Sequence, residues 1–339
     1  MKNWKPSWQP SRKRQLGFAL AGLLCLVSTL LSLCLGAAPL SLSQLWQAMC
    51  RGPQDTAGYI LWYTRLPRTA GCLLAGAALS VSGCILQRVL GNSLASPNII
   101  GINAGAGLAV TLCCSLGVLS GWAVAGAAFA GALGAVMLVM VLARKTGASR
   151  TTVILAGVAI NSILNAFRDA LTTLVPDTAA LSGEFRVGGF SAVVTSRLVP
   201  AAILIAVTFA AVMTLCNELD VLALGEDTAQ SLGLSVKGIQ RIFLLFAALL
   251  AGSAVSFAGL LGFVGLLVPH VARKVVGTQG RHLLPFCCLA GAGFVTGCDL
   301  LARLIAAPFE LPVGILLSII GGPFFLVLLL KRHGGGNHG

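Results

Sequence analysis

The chain has 339 residues, 57% of them hydrophobic and 10% charged, with a formal net charge of +13 and a mean hydropathy of +0.92. Soluble domains carry roughly 25% charged residues, so this chain cannot cover a water-facing surface. Its positive balance fits basic loops on the cytoplasmic side of a membrane better than a nucleic-acid partner.

Nothing alternates with the two-residue period of a membrane β-barrel, which leaves an all-α, polytopic transmembrane helical bundle. The first stretch, Met1–Gln15, is basic through Lys2, Lys5, Arg12, Lys13 and Arg14 and precedes an uncharged segment, Leu16–Leu35. That segment exceeds the apolar core of a signal peptide and is read as a retained helix. Further segments follow at Arg68–Leu86, Gly101–Leu119, Trp122–Leu142, Thr152–Leu174, Leu198–Cys216, Ile242–Gly259, Leu260–Val276, Leu283–Leu301 and Leu311–Leu330, ten in all. Each approaches the ~20 residues that cross the hydrocarbon core.

The seventh and eighth segments form one uncharged run of 31 residues, Ile242–Ala272, flanked by Arg241 and by Arg273 and Lys274. With both flanks cytoplasmic, the run must go out and come back, and Gly259, Gly262, Gly265 and Pro269 offer places for a break. The 41 glycines suit close helix packing in lipid, as in Gly101-x-x-x-Gly105 and Gly117-x-x-x-Gly121.

With the N-terminus inside, 16 of the 23 basic residues fall in cytoplasmic segments. Arg51, Arg65, Arg68, Arg168, Arg186, Arg197 and Arg303 fall outside. The bias predicts both termini in the cytoplasm, which ten crossings satisfy. The domain reading is a cytoplasmic N-terminus (1–15), one transmembrane domain (16–332) with a cytoplasmic loop at 218–241, and a flexible Gly-rich tail (333–339).

No nucleotide-binding GxxxxGK[ST] motif occurs, no His, Cys or Glu cluster has metal spacing, and the eleven cysteines read as small buried hydrophobes. His270 stands alone after Pro269. The chain is therefore expected to be no enzyme and to bind no metal or cofactor itself. Intramembrane charge is the remaining flag for function. Asp299 and Arg303, four apart, can pair on one helix face, whereas Arg168 and Asp169 are neighbours expected to point to different sides. All four lie toward outer helix ends, where the bland reading, a stabilised helix terminus, weighs at least as much as transport.

The loop Glu218–Arg241 carries more information. A short helix starting after Gly225 places Glu226 and Asp227 at its positive end, and Gly233 is placed to end it in a left-handed cap. Leu222, Leu224, Ala229 and Leu232 give it an apolar side. It reads as a cytoplasmic amphipathic helix, lying on headgroups or, as its acidic start favours, docking in the groove of a cytoplasmic partner.

Several separated stretches, in order, resemble the FecCD-type permeases of bacterial ABC importers for iron–siderophores, haem and cobalamin. They are Arg65-Leu-Pro-Arg68; Gly76-Ala-Ala-Leu with Gly83-x-x-x-Gln87; Asn92-Ser-Leu-Ala-Ser-Pro97; Leu155-Ala-Gly-Val-Ala159; Leu222-Ala-Leu-Gly-Glu226 with Ser231-Leu-Gly233; Gly262-Phe-Val-Gly-Leu-Leu-Val-Pro-His270 with Arg273; and Glu310-Leu-Pro-Val-Gly314 with Gly322-Pro-Phe324. The resemblance implies a homodimer or close heterodimer in the bacterial cytoplasmic membrane, with lipid around it and a path along the two-fold axis. It implies two separate ATPase subunits, which would hold ATP and Mg, and an extracytoplasmic substrate-binding protein. It also implies ATPase coupling through Leu224, Gly225, Glu226, Ala229, Leu232 and Gly233, and a cytoplasmic gate at Asn92, Leu94, Thr151 and Thr152. Docking of the binding protein would fall on Arg65, Arg68 and Arg303. Ser93 and Leu260 stand where family members commonly have proline, which leaves the turn after the second segment less rigid and the geometry of the break open. The alternatives from other classes are an ion-coupled secondary carrier and a channel-like or structural membrane protein. Iron–siderophore leads as substrate, then haem, then cobalamin.

Overall fold

The computed structural model describes residues 12–36, 40–145, 150–305, 307 and 309–333. The basic N-terminus before residue 12 and the tail after residue 333 lie outside them. Among the described residues the secondary structure is helical throughout, in the order α1 (Arg12–Cys34), α2 (Leu42–Arg51), α3 (Thr56–Tyr59), a π-helical stretch (Ile60–Arg65), α4 (Leu66–Val89), α5 (Ile102–Ser115), α6 (Gly121–Lys145) and α7 (Arg150–Leu174), then α8 (Asp177–Leu181), α9 (Gly183–Val187), α10 (Thr195–Thr214), α11 (Cys216–Ala223), α12 (Glu226–Ser231), α13 (Val236–Ala258), α14 (Val264–Val276), α15 (Gly280–Ile305) and α16 (Val313–His333). Every one of the ten expected segments holds a helix. Seven helices are long and apolar enough to cross a membrane by length and composition; α5 and the apolar part of α16, Val313–Leu328, are shorter, and α14 spans only ~20 Å at helical rise.

Helix α4 is the centre of the bundle. It is apolar all round, as a helix without a solvent face must be, and it is buried almost end to end. Its few polar side chains tie it to three neighbours in turn. The Ser80 hydroxyl donates to Cys287 O of α15 at 2.6 Å. The Ser82 hydroxyl donates to Ala247 O of α13 at 2.7 Å, and Gln87 Nε2 donates to Gly265 O of α14 at 3.1 Å. Each such interhelical bond contributes on the order of 0.6 kcal/mol in a membrane protein. Glycine allows the approach: a Cβ at Gly76 would stand 2.2 Å from Gly291 O, and one at Gly83 would stand 1.9 Å from Gly265 O. Of the expected glycine pairs, Gly105 does pack on Gly131 of α6, whereas Gly101 caps α5 in a left-handed conformation and Gly117 lies in open space.

The outside of the bundle is apolar. Helix α1 exposes Leu16, Leu20, Leu23, Leu24, Leu26 and Leu30, which a lipid environment accepts and water does not. The segment before Arg68 departs from expectation. Instead of beginning there, the helix runs outward to Thr56, widening into the π-stretch just before Pro67. The Leu66 N–H bonds Leu61 O, and this wider ladder adjoins the proline that cannot donate.

The break expected in the seventh–eighth run is present. Gly259 (φ +71) ends α13, and residues 259–263 are not helical before α14 starts. The free backbone groups are satisfied by α9 and the glycines after it: Leu260 N donates to Phe185 O at 2.9 Å and Gly189 N to Ala258 O at 2.9 Å. Gly314, opening α16, in turn donates to Gly188 O at 3.2 Å. Leu260, where proline was expected, thus uses the N–H that proline lacks. Phe263 is the one described non-glycine residue with positive φ, +63. Its ring lies so close to Gly321 that a Cβ there would meet it at 2.2 Å.

Candidate functional site

Two regions gather polar side chains, one at each end of the bundle. At the end expected to be cytoplasmic, the loop at 218–241 is largely helical. Helix α11 follows α10 directly, and α13 begins at Val236 rather than Ile242. Between them α12 covers Glu226–Ser231, opened by Gly225 at φ +120. Its end is a Schellman cap: Leu234 N bonds Ala229 O at 3.0 Å, Gly233 N bonds Gln230 O at 2.9 Å, and Gly233 has φ +82. Gln240 Nε2 of α13 donates to Glu226 Oε1 at 3.0 Å, so the acidic start of α12 is fixed to a membrane helix.

The apolar side expected of this element divides in two. Leu222 and Ala229 are fully buried against the chain's own body, whereas Leu224 and Leu232 are 65% and 63% exposed. Ala229 is therefore not a contact for a partner, which corrects its expected role. It is the residue on which the knob is seated, and Leu224 and Leu232 are the apolar tips.

The expected gate residues occupy two elements. Helix α4 ends in a second Schellman cap, with Gly91 at φ +58 and Asn92 N bonded to Gln87 O at 3.1 Å. Asn92 Oδ1 then accepts from Leu94 N at 3.0 Å, an Asx turn that fixes the chain where the missing proline predicted looseness. Thr151 and Thr152 stand in the first turn of α7, Thr151 exposed. Helix α7 abuts the α4–α5 connection, since a Cβ at Gly157 would meet Ile99 O at 2.4 Å.

At the opposite end, expected to be the outer one, the three arginines expected to meet a binding protein are all buried, Arg65 5%, Arg68 7% and Arg303 8% exposed. They do not form a projecting basic patch, which corrects that expectation. Arg68 grips Asp299 with Nε at 3.0 Å and Nη2 at 3.0 Å, and its Nη1 reaches Glu310 Oε2 at 2.6 Å. Arg303 Nε pairs with Asp299 Oδ2 at 3.1 Å, the i,i+4 contact foreseen from the sequence. Arg65 Nη1 donates to Leu33 O, and Arg303 donates to Ser32 Oγ at 2.8 Å and Leu35 O at 3.3 Å. Both guanidiniums thus satisfy carbonyls at the C-terminal end of α1, where positive charge is favoured. Arg168 and Asp169 also differ from expectation: the guanidinium folds back onto its neighbour, Nη2 to Oδ1 at 3.0 Å.

Two parts escaped sequence reasoning. Helix α2, left unassigned, begins with a capping box between Ser41 and Gln44, a signal visible as Ser-x-x-Gln. The pair Arg88–Asp220 joins the end of α4 to α11; with the partners 132 positions apart, no local pattern announces it.

Residues 24–331 match the FecCD transport family. The chain is 35% identical to the hemin transport system permease protein HmuU of Yersinia pestis over 94% of this chain and 95% of that protein. It is 35% identical to the vitamin B12 import system permease protein BtuC of Klebsiella pneumoniae over 97% of each. With the ABC transporter permease protein YvrB of Bacillus subtilis it shares 38% identity over 82% of this chain and 80% of that protein. A solved structure described as an inward-facing conformation of a metal-chelate type ABC transporter superposes with a TM-score of 0.83 at 26% identity, over 94% of this chain and 99% of the other. With a match across nearly its whole length and full-length relatives above 30% identity, this chain belongs to the FecCD transport family.

Proposed function

We propose that the chain is the membrane-spanning permease subunit of a binding-protein-dependent ABC importer in a bacterial cytoplasmic membrane, with ten crossings and both termini inside. It works as a homodimer or close heterodimer and is powered by two separate ATPase subunits that hold ATP and Mg. The chain itself carries no catalytic group, metal or cofactor. Its cargo is an iron–siderophore-like chelate, with haem and cobalamin, the cargoes named for relatives, as alternatives.

The observation that carries this reading is full-length membership of a permease family together with the capped α12 knob. Leu224 and Leu232 present apolar tips to a partner, and the Glu226–Gln240 bond passes a push on the knob to α13. Helix α13 ends at the 259–263 break, whose Phe263 bears on Gly321 of α16. A displacement at the cytoplasmic face therefore has a packed route to the break and to α16. Asn92, Leu94, Thr151 and Thr152 stand at the ends of α4 and α7 as the proposed gate. The outer arginines organise the extracytoplasmic surface on which a binding protein lands, with Glu310, about half exposed, at its edge.

Uptake by proteoliposomes holding the complete complex, assayed in parallel with a ferric hydroxamate, haem and cobalamin, tests the cargo. Accumulation of the ferric hydroxamate above the other two is expected; preferential uptake of haem or cobalamin overturns that assignment while leaving the importer class intact.

A further inference from the structure

Beneath the cytoplasmic end of α4 lies a cavity of about 460 Å³ whose walls include Gln87, Arg88, Asp220, Leu224, Arg273 and Thr278. Its polar inventory is unbalanced. Asp220 is already engaged by Arg88 Nη2 and by the Gly280 N–H, at 2.8 and 3.1 Å. Arg88 spends Nη1 on Thr278 O at 2.8 Å, yet its Nε is buried without a hydrogen-bond partner. Arg273 Nη2 and Gln87 Oε1 are likewise buried and unpartnered. Arg88 and Gln87 are more than nine-tenths buried. Two guanidiniums therefore line a cavity whose one carboxylate is already engaged by Arg88 and Gly280, and each keeps a donor unmet where that is costly. Arg273 sits in the last turn of α14, where it favours the helix dipole, but that leaves Nη2 unmet.

Gln87 Oε1 is an acceptor and calls for a donor, but the two unmet guanidinium donors call for an anion with acceptor oxygens, and position decides its source. The cavity opens beside Leu224, one of the two exposed tips of the knob. Its roof is the end of α4, the helix buried on every side, and Leu283, also lining it, is fully buried. The cavity thus lies under the centre of the bundle, away from the lipid-facing perimeter where a headgroup would enter. We propose that it receives a carboxylate side chain from the ATPase subunit, clamped between Arg88 and Arg273 while Leu224 docks beside it. This rests on the reading of the chain as an ABC permease and adds a second, polar attachment point to the apolar one. Guanidinium suits the task, because its planar fork pairs with a carboxylate and stays charged.

The test uses the complex of the full chain with the ATPase that co-purifies with it, in nanodiscs. Arg273→Lys places a primary amine in the cavity; carbodiimide treatment and peptide mapping then report which carboxylates reach it. An isopeptide bond from position 273 to an Asp or Glu of the ATPase is expected. A bond to Asp220 alone overturns the proposal. Arg273→Gln should release the ATPase about tenfold faster in low salt, with the gap narrowing in high salt, and Arg273→Lys should recover part of the loss. ATPase retention indifferent to Arg273 overturns this inference alone, whereas absence of any ATPase from the wild-type preparation removes the permease reading with it. A phospholipid held by the ATPase-stripped wild type in native mass spectrometry, and lost on Arg273→Gln with ATPase retention unchanged, assigns the cavity to a headgroup instead.

Discussion

The carboxylate of Asp299 lies between two guanidiniums, 3.0 Å from Arg68 Nε and 3.1 Å from Arg303 Nε, and is fully buried. One residue of α15 thereby fastens α4, the end of α1 through Arg303, and the approach to α16 through Arg68 and Glu310. Removing it leaves the buried Arg303 without a carboxylate and Arg68 with only the half-exposed Glu310, and breaking a buried pair in this way costs about 3–5 kcal/mol. Asp299→Asn should sharply lower the thermal midpoint of the purified chain. Glu310→Gln, at a half-exposed partner, should cost about 1 kcal/mol or less. Equal midpoints for the two variants would show that the network does not hold the outer end together.

The knob makes the next prediction, and burial chooses the variants. Ala229→Asp forces a charge into the chain's own interior and should destabilise the permease by several kcal/mol. Leu224→Asp and Leu232→Asp change exposed tips, so the fold should keep its stability to within about 0.5 kcal/mol. Retention of the ATPase should nevertheless fall for both. Measuring thermal midpoint and ATPase stoichiometry on the same preparations separates the effects; full ATPase retention by both leucine variants would remove α12 as the coupling element.

Glycine contacts at the bundle centre give a paired test. A Cβ at Gly83 would lie 1.9 Å from Gly265 O and one at Gly314 would lie 1.8 Å from Val187 O, whereas one at Gly134 would meet nothing within 4 Å. Gly83→Ala and Gly314→Ala should each cost about 1–3 kcal/mol through forced backbone shifts. Gly134→Ala, inside a helix with room to spare, should be neutral or stabilise by up to about 1 kcal/mol. Circular dichroism melts in a fixed detergent read the difference, and indistinguishable melts for all three would contradict the packing of α4 on α14.

How much of this was legible beforehand depends on the range of the interaction. The helical segments were readable because hydropathy acts locally, and so was the Asp299–Arg303 pair, set by helical period alone. Gly233 was readable as a left-handed cap because only glycine adopts that conformation freely. The inward turn of Arg65 and Arg68 was not, since it depends on carbonyls at the end of α1 and on Asp299, 231 residues away. The same holds for Ala229: helical periodicity put it on one face with Leu224 and Leu232, but α12 has only 6 residues, and the body behind it decides what is covered.

Topology follows from the arrangement of basic loops. Among the described cysteines Cys50 is the exposed one, at the end of α2 on the expected outer side, and Lys274 is exposed at the opposite end. A chain retaining only Cys50 should react with an impermeant thiol reagent applied outside intact cells. Lys274→Cys in a cysteine-free chain should react only after the membrane is opened. Labelling of position 274 from outside would overturn the inward placement of both termini.

The central claim is that transport through this chain is driven by a separate ATPase rather than by an ion gradient. Proteoliposomes containing the chain with its ATPase, loaded with ATP and Mg and supplied with binding protein and cargo, measure it most directly. The account predicts uptake that requires lumenal ATP, persists when ionophores collapse every ion gradient, and disappears when the ATPase is omitted. Uptake by the chain alone, driven by a proton or sodium gradient and indifferent to ATP, would contradict it.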